Sequence, residues 1–168
     1  KALRPDLAIV PLRGNVDTRL RKCEEGVVDA IVLARAGLLR LGLAERATEV
    51  LEVTTCLPAI GQGALGVEQR AGDERVAGLL ARVTHLETAV AVTCERGVMH
   101  AVEGDCQTPV AAYAVKSGGD LWLRALLSEP DGSRLRRGER RTPWPRTLEE
   151  AAAIGRDLGA ELKRNAGA

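Results

Sequence analysis

The sequence predicts an α/β segment with a parallel-type sheet, followed by a small α+β domain with a three-stranded antiparallel sheet. Three observations predict it. Near the amino end two apolar runs, residues 7–12 and 27–34, each precede a segment of helical periodicity, and a strand-helix-strand-helix order favours parallel strands covered by helices. After Gly72 the texture changes to amphipathic helices. Beyond Pro109 three β-rich runs are joined by turn formers, the pattern of an antiparallel meander. A boundary near Gly72 follows, giving domains 1–72 and 73–168.

Residues 7–12 end at Arg13-Gly14-Asn15 and read as a buried strand entering a loop. Asn15 then caps a helix in which Val16, Leu20 and Cys23 fall at i, i+4 and i+7, and Gly26 stops it. Residues 27–34 form the second strand, and a helix over 36–41 is closed by Gly42. The crevice of such a sheet lies at the carboxyl ends of its strands, where Arg13 and residues 34–37 sit. A β-rich run over 49–53, a turn at Gly61-Gln62-Gly63 and a strand over 65–68 make a crossing segment.

Val76, Leu79, Leu80 and Val83 mark an amphipathic helix, and residues 88–102 mark a second, broken at Glu103-Gly104. Strands over 110–116, 121–128 and 134–141 are separated by Ser117-Gly118-Gly119-Asp120 and Pro130-Asp131-Gly132-Ser133. Thr147 and Glu150 set a capping box for a final helix that carries Ile154, Leu158 and Leu162.

Composition narrows the function classes. With 24 basic and 23 acidic residues the formal charge is +1, too little to drive binding to a nucleic acid by counterion release. Tyr113, Trp122 and Trp144 are the whole aromatic complement, so a base-stacking platform is hard to build. Nucleic acid is not expected as a partner. The apolar stretch over 30–43 is interrupted by Arg35 and Arg40 and falls short of the roughly 20 uncharged residues a membrane helix needs, so no membrane association is expected. The chain opens Lys1-Ala2-Leu3-Arg4-Pro5 and runs at once into an apolar segment, which leads to the expectation of a fragment.

Cys23, Cys56, Cys94 and Cys106 form no CxxC pair, and His85 and His100 are scattered. Neither zinc nor a disulfide framework is indicated, no metal is expected, and a cytoplasmic location fits. Cys23 and Cys94 occupy apolar helix positions and read as packed hydrophobes. Cys106 lies in the loop Glu103-Gly104-Asp105-Cys106-Gln107-Thr108-Pro109 between a helix and a strand, where reactive groups tend to sit. No neighbouring His or Lys marks it as activated. Arg13 and Arg19 flank a helix start that already favours anions, and with Arg40 they can bind carboxylates. For any one of them a solvated surface arginine is the plainer reading.

Five motifs in series carry a resemblance. Arg13-Gly14-Asn15-Val16-Asp17-Thr18-Arg19-Leu20, Asp29-Ala30-Ile31-Val32-Leu33-Ala34, Gly37-Leu38-Leu39-Arg40-Leu41-Gly42-Leu43, Gly61-Gln62-Gly63-Ala64-Leu65-Gly66 and the Cys106 loop resemble the porphobilinogen deaminase (hydroxymethylbilane synthase) family over residues 7–141. The resemblance implies a cytoplasmic transferase of tetrapyrrole and heme biosynthesis. It joins four molecules of its substrate porphobilinogen head to tail on a dipyrromethane cofactor. It implies that the cofactor is held by a thioether to Cys106, where the family usually has Gly-Gly and this chain has Gly104-Asp105. By the same resemblance Arg13, Arg19 and Arg40 bind cofactor and substrate carboxylates.

The family architecture implied is two periplasmic-binding-like α/β domains and a smaller α+β domain carrying the cysteine. Residues 1–72 would then be part of a carboxylate-binding domain with the segment returning to an amino-terminal domain, and residues 73–168 the cofactor-attachment domain. The family's catalytic aspartate, in a His-Ser-x-Lys-Asp type motif, has no counterpart here. No catalytic residue is therefore assigned in this chain, and the chain alone is expected to be inactive. The alternatives are a non-catalytic carboxylate-binding module, or one piece of a split enzyme whose partner is the amino-terminal half.

Overall fold

The computed structural model describes residues 1–104 and 108–164. The chain divides into two compact units, Lys1–Glu52 and Val53–Ala168.

The first unit holds helices α1 (Val16–Glu24) and α2 (Arg35–Arg40), with a 3-10 turn at Ala44–Arg46. Asn15 caps α1 as expected: its side-chain oxygen accepts from the Thr18 N–H at 2.9 Å. Gly26 (φ 74°) ends the helix, with its N–H bonded to the Cys23 carbonyl and that of Val27 to the Lys22 carbonyl. The same paired closure recurs at α2, where Gly42 (φ 70°) bonds Leu39 and Leu43 bonds Leu38. Both are Schellman closures, which require a left-handed residue and so favour glycine.

The expected strands of this half do not form. Residues 7–12, 27–34, 49–53 and 65–68 lie outside any sheet, and the one sheet among the described residues is antiparallel. The physical reason is pairing: a β-rich run becomes a strand only where another backbone takes up its N–H and C=O groups. None of these runs takes part in strand pairing among the described residues. Several of their apolar side chains stay in solvent, Ile9 at 66%, Val32 at 77% and Leu65 at 85% exposure. Leu38 is the only buried hydrophobic residue of this unit.

The second unit carries the core. Helix α3 (Glu74–Val83) starts at Asp73, whose side chain accepts from the Val76 N–H at 3.0 Å. Helix α4 (Leu86–Val102) begins two residues before the expected 88 because His85 Nδ1 accepts from the Thr88 N–H at 3.3 Å. Strands β1 (Val110–Ser117), β2 (Asp120–Leu127) and β3 (Arg136–Pro143) form the expected meander in the order β1-β2-β3. Pairing of Ser117 with Asp120 leaves a two-residue turn of Gly118 and Gly119. Strand β3 begins at Arg136 rather than 134, since Arg134 adopts a left-handed φ of 50° that no strand accommodates. Helix α5 (Leu148–Arg164) is capped by Thr147 Oγ1, which accepts from the Glu150 N–H at 3.1 Å. The Glu150 carboxylate reaches back one residue further than a standard box, to the Arg146 N–H at 2.7 Å.

One face of the sheet presents Ala112, Ala114, Leu121, Leu123, Ala125 and Leu127 to Val90, Cys94 and Val98 of α4 and to Ala151, Leu158 and Leu162 of α5. Burying each of the leucines contributes about 1.5–3 kcal/mol. Glycines let the two helices touch: a Cβ on Gly155 would overlap the Cys94 carbonyl oxygen, and one on Gly159 would lie 2.6 Å from that of Val98. The opposite face carries Tyr113, Trp122 and Arg124, with Arg137, Glu139 and Arg141 beside them in register. Among the described residues no single helix is long and apolar enough to cross a membrane.

Candidate functional site

Arg13 precedes α1 and is exposed, Arg19 is half-buried within it, and Arg40 is exposed in the last turn of α2. The Arg19 Nε donates to the Gly14 carbonyl at 2.8 Å and the Lys22 ammonium to the Arg13 carbonyl at 3.1 Å. These two bonds fasten the Arg13-Gly14 corner onto the helix. Gly14 needs its glycine: φ is 131°, and a Cβ would lie 2.7 Å from Thr18 Cγ2.

Helix α2 approaches α1 where a Cβ on Gly37 would lie 3.7 Å from Val16 Cγ2. Val16 lies one turn before Arg19 and Gly37 one turn before Arg40. Among the described residues no acidic side chain pairs with Arg13, Arg19 or Arg40. Their charges stay available, as a polycarboxylate ligand requires.

Cys106 falls outside the described residues. Its loop leaves α4 through Glu103, held in a left-handed turn (φ 56°) and ion-paired at 2.7 Å with Lys163. That hydrogen-bonded pairing lowers the Glu103 carboxyl below the ordinary glutamate value. Its two described ends approach each other, since a Cβ on Gly104 would stand 3.2 Å from Thr108 Cγ2. Gly104 and Thr108 therefore stand close together, between the end of α4 and the start of β1. Of the other cysteines, Cys56 is exposed, Cys23 is half-buried and Cys94 is buried. Burial, then the neighbouring Glu95 charge, push the Cys94 thiol up to about 12, so it stays protonated and inert.

Glu95 is absent from the sequence reading. It is 5% exposed, and its two carboxylate oxygens accept from the Ala114 N–H at 2.9 Å and the Gly61 N–H at 2.8 Å. Ala114 lies on an outer strand of the sheet, so Glu95 satisfies an edge amide and ties the Gly61-Gln62-Gly63 turn to α4 and β1. Burial raises its pKa above the ordinary value, and the two amide bonds oppose that rise. The available signal was its position: Ala91 and Val102 lie four residues before it and seven after, along the apolar face of α4.

Comparison with known proteins bears directly on this arrangement. Residues 1–78 match the family model described as porphobilinogen deaminase, dipyromethane cofactor binding domain, and residues 89–164 match porphobilinogen deaminase, C-terminal domain. The chain is 65% identical over 161 residues to the porphobilinogen deaminase of Sorangium cellulosum, an alignment covering 96% of this chain and 54% of that protein. It thus spans about half the length of the curated relative it matches. A dipyrromethane cofactor binding domain followed by the C-terminal domain of the same enzyme defines the class, the porphobilinogen deaminases. The chain belongs to the porphobilinogen deaminase family.

Proposed function

We propose that residues 1–168 supply the cofactor attachment point and part of the carboxylate-binding surface of a hydroxymethylbilane synthase, which condenses four porphobilinogen molecules head to tail. The observation that carries this reading is the set of arginines that have no acidic partner among the described residues, Arg13, Arg19 and Arg40, inside the segment that matches the cofactor-binding family model. The donor set fits the group. Each pyrrole ring of a dipyrromethane carries an acetate and a propionate, and a guanidinium fork binds a carboxylate through two parallel hydrogen bonds.

Cys106 holds the cofactor through a thioether, a bond that thiolate chemistry forms readily and that survives repeated condensations. When bound, the dipyrromethane supplies the primer on which the chain of rings is built. Arg13, Arg19 and Arg40 hold ring carboxylates, fix the orientation of the rings and offset the charge that accumulates as the product lengthens. Asp105 places a carboxylate next to the thioether where the family usually has glycine.

Residues 1–72 belong to the carboxylate-binding domain and residues 73–168 to the cofactor-attachment domain. In the first, residues 7–12 and 27–34 act as strands of a periplasmic-binding-like sheet, paired with backbone from outside residues 1–168. The exposed Ile9, Val10 and Val32 support this reading. The reaction takes place in a reducing, cytoplasmic setting. No counterpart of the family's catalytic aspartate motif occurs within residues 1–168, so a polypeptide of these residues alone consumes no porphobilinogen, and activity returns when the amino-terminal half is added.

Porphobilinogen consumption by the whole enzyme, followed with Ehrlich's reagent, tests the arginine assignment. Replacing Arg13, Arg19 or Arg40 singly by Ala is expected to lower kcat/KM about ten- to hundred-fold, the loss of one charge-assisted hydrogen-bonded pair. Unchanged kcat/KM in all three variants refutes the assignment.

A further inference from the structure

The sheet face turned away from α4 and α5 holds a cavity of about 360 Å³, roofed by Val53 and Leu57 and floored by Trp122, Arg124, Arg137 and Glu139. Its chemistry is uneven. The Arg124 guanidinium lies 4.3 Å from the Trp122 ring centre and 5.4 Å from that of Tyr113, so its faces are occupied by aromatic rings. Glu139 stands directly opposite Arg124 in the β2–β3 register, the place where a cross-strand ion pair is expected. That pair is absent among the described residues. The Glu139 carboxylate instead accepts from the Trp122 indole N–H at 3.1 Å, and the buried Arg124 Nε has no hydrogen-bond partner among the described residues.

A buried donor without a partner is destabilising, and each such group in a folded protein calls for a bound water, ion or ligand that takes it up. Arg137 and Arg141 flank the same face, and the Arg141 guanidinium lies 4.6 Å from the Trp122 ring centre. The face thus gathers three guanidinium groups and a single carboxylate that is already engaged.

We propose that this cavity is a binding site for a small planar ring compound bearing a carboxylate. The carboxylate meets the free edge of Arg124, and the ring lies in the apolar space between Trp122 and the 53–57 segment. The volume is at the small end of the range for ligand pockets and suits one or two rings. Arg13, Arg19 and Arg40 are not among its lining residues, and it does not depend on the role proposed for them or for Cys106.

The test is a titration of the full chain with benzoate, followed by the Trp122 indole N–H signal in nitrogen-proton NMR, with benzyl alcohol as the uncharged analogue. Benzoate is expected to shift that signal saturably in the roughly millimolar range that a one-ring ligand reaches. Benzyl alcohol is expected to bind at least about ten-fold more weakly, as loss of a charge-assisted bond implies. Arg124→Met should abolish the benzoate shift. Arg124→Lys, which keeps the charge but loses the planar fork, should weaken it and guards against a folding defect in the first variant. No saturable shift, equal response to both compounds, or an undiminished shift in a folded Arg124 variant overturns the proposal.

Discussion

Glu95 replaces water around a buried carboxylate with two backbone amides, one from β1 and one from the Gly61 turn. Truncation to Ala leaves both amides unpaired and should cost about 2–5 kcal/mol in urea unfolding, well beyond the loss of side-chain contacts. The pH dependence has a definite sign. Burial is the leading cause and raises the folded pKa above the unfolded one, so the native state binds the proton more tightly. The contribution of Glu95 is then fully present below its unfolded pKa and is lost as pH rises through the folded value. Relative to Glu95→Gln, which does not titrate, the wild type should lose stability from about pH 4 upward; a gap that widens in favour of the wild type contradicts this. At this scale the sequence revealed charge more readily than burial. Arg13, Arg19 and Arg40 stood out through their motifs, whereas Glu95 looked like any solvated glutamate until α4 was packed.

Helices were legible because their ends are local. Asn15, Asp73 and Thr147 each close a hydrogen bond to an amide three residues away, and Gly26 and Gly42 sit one residue past the last turn. The meander was legible for the same reason, its turns marked by Gly118-Gly119 and by Asp131, whose side chain accepts from the Ser133 N–H at 2.8 Å. Residues 7–12 and 27–34 carry equally strong β-propensity and form nothing, since a parallel strand depends on a neighbour that periodicity cannot supply. The α4–α5 crossing gives the sharpest test among the elements. Gly155→Ala forces a methyl group into the Cys94 carbonyl and should destabilise by about 1–3 kcal/mol. Gly78→Ala meets nothing within 4 Å on α3 and should stabilise by roughly 0.5–1 kcal/mol. Thermal unfolding of the two variants measures both signs, and a neutral Gly155→Ala refutes the close contact.

Across the whole molecule, burial is concentrated in one of the two units. Apart from Leu38, every buried hydrophobic residue belongs to Val53–Ala168. Amide hydrogen exchange should therefore show strong protection in α4, β1, β2 and α5 and little in α1 and α2; equal protection in both units contradicts that distribution. Helices α1 and α2 and the corner before α1 carry arginines that have no acidic partner among the described residues, in the segment that matches a cofactor-binding domain, and the loop of Cys106 follows α4 in the α+β part. Cofactor attachment at Cys106 is tested by the mass of the Cys106 peptide, released from an enzyme that consumes porphobilinogen. A mass excess equal to two linked pyrrole units on that peptide, absent in Cys106→Ser, is the predicted result. An unmodified Cys106 peptide from active enzyme would contradict it.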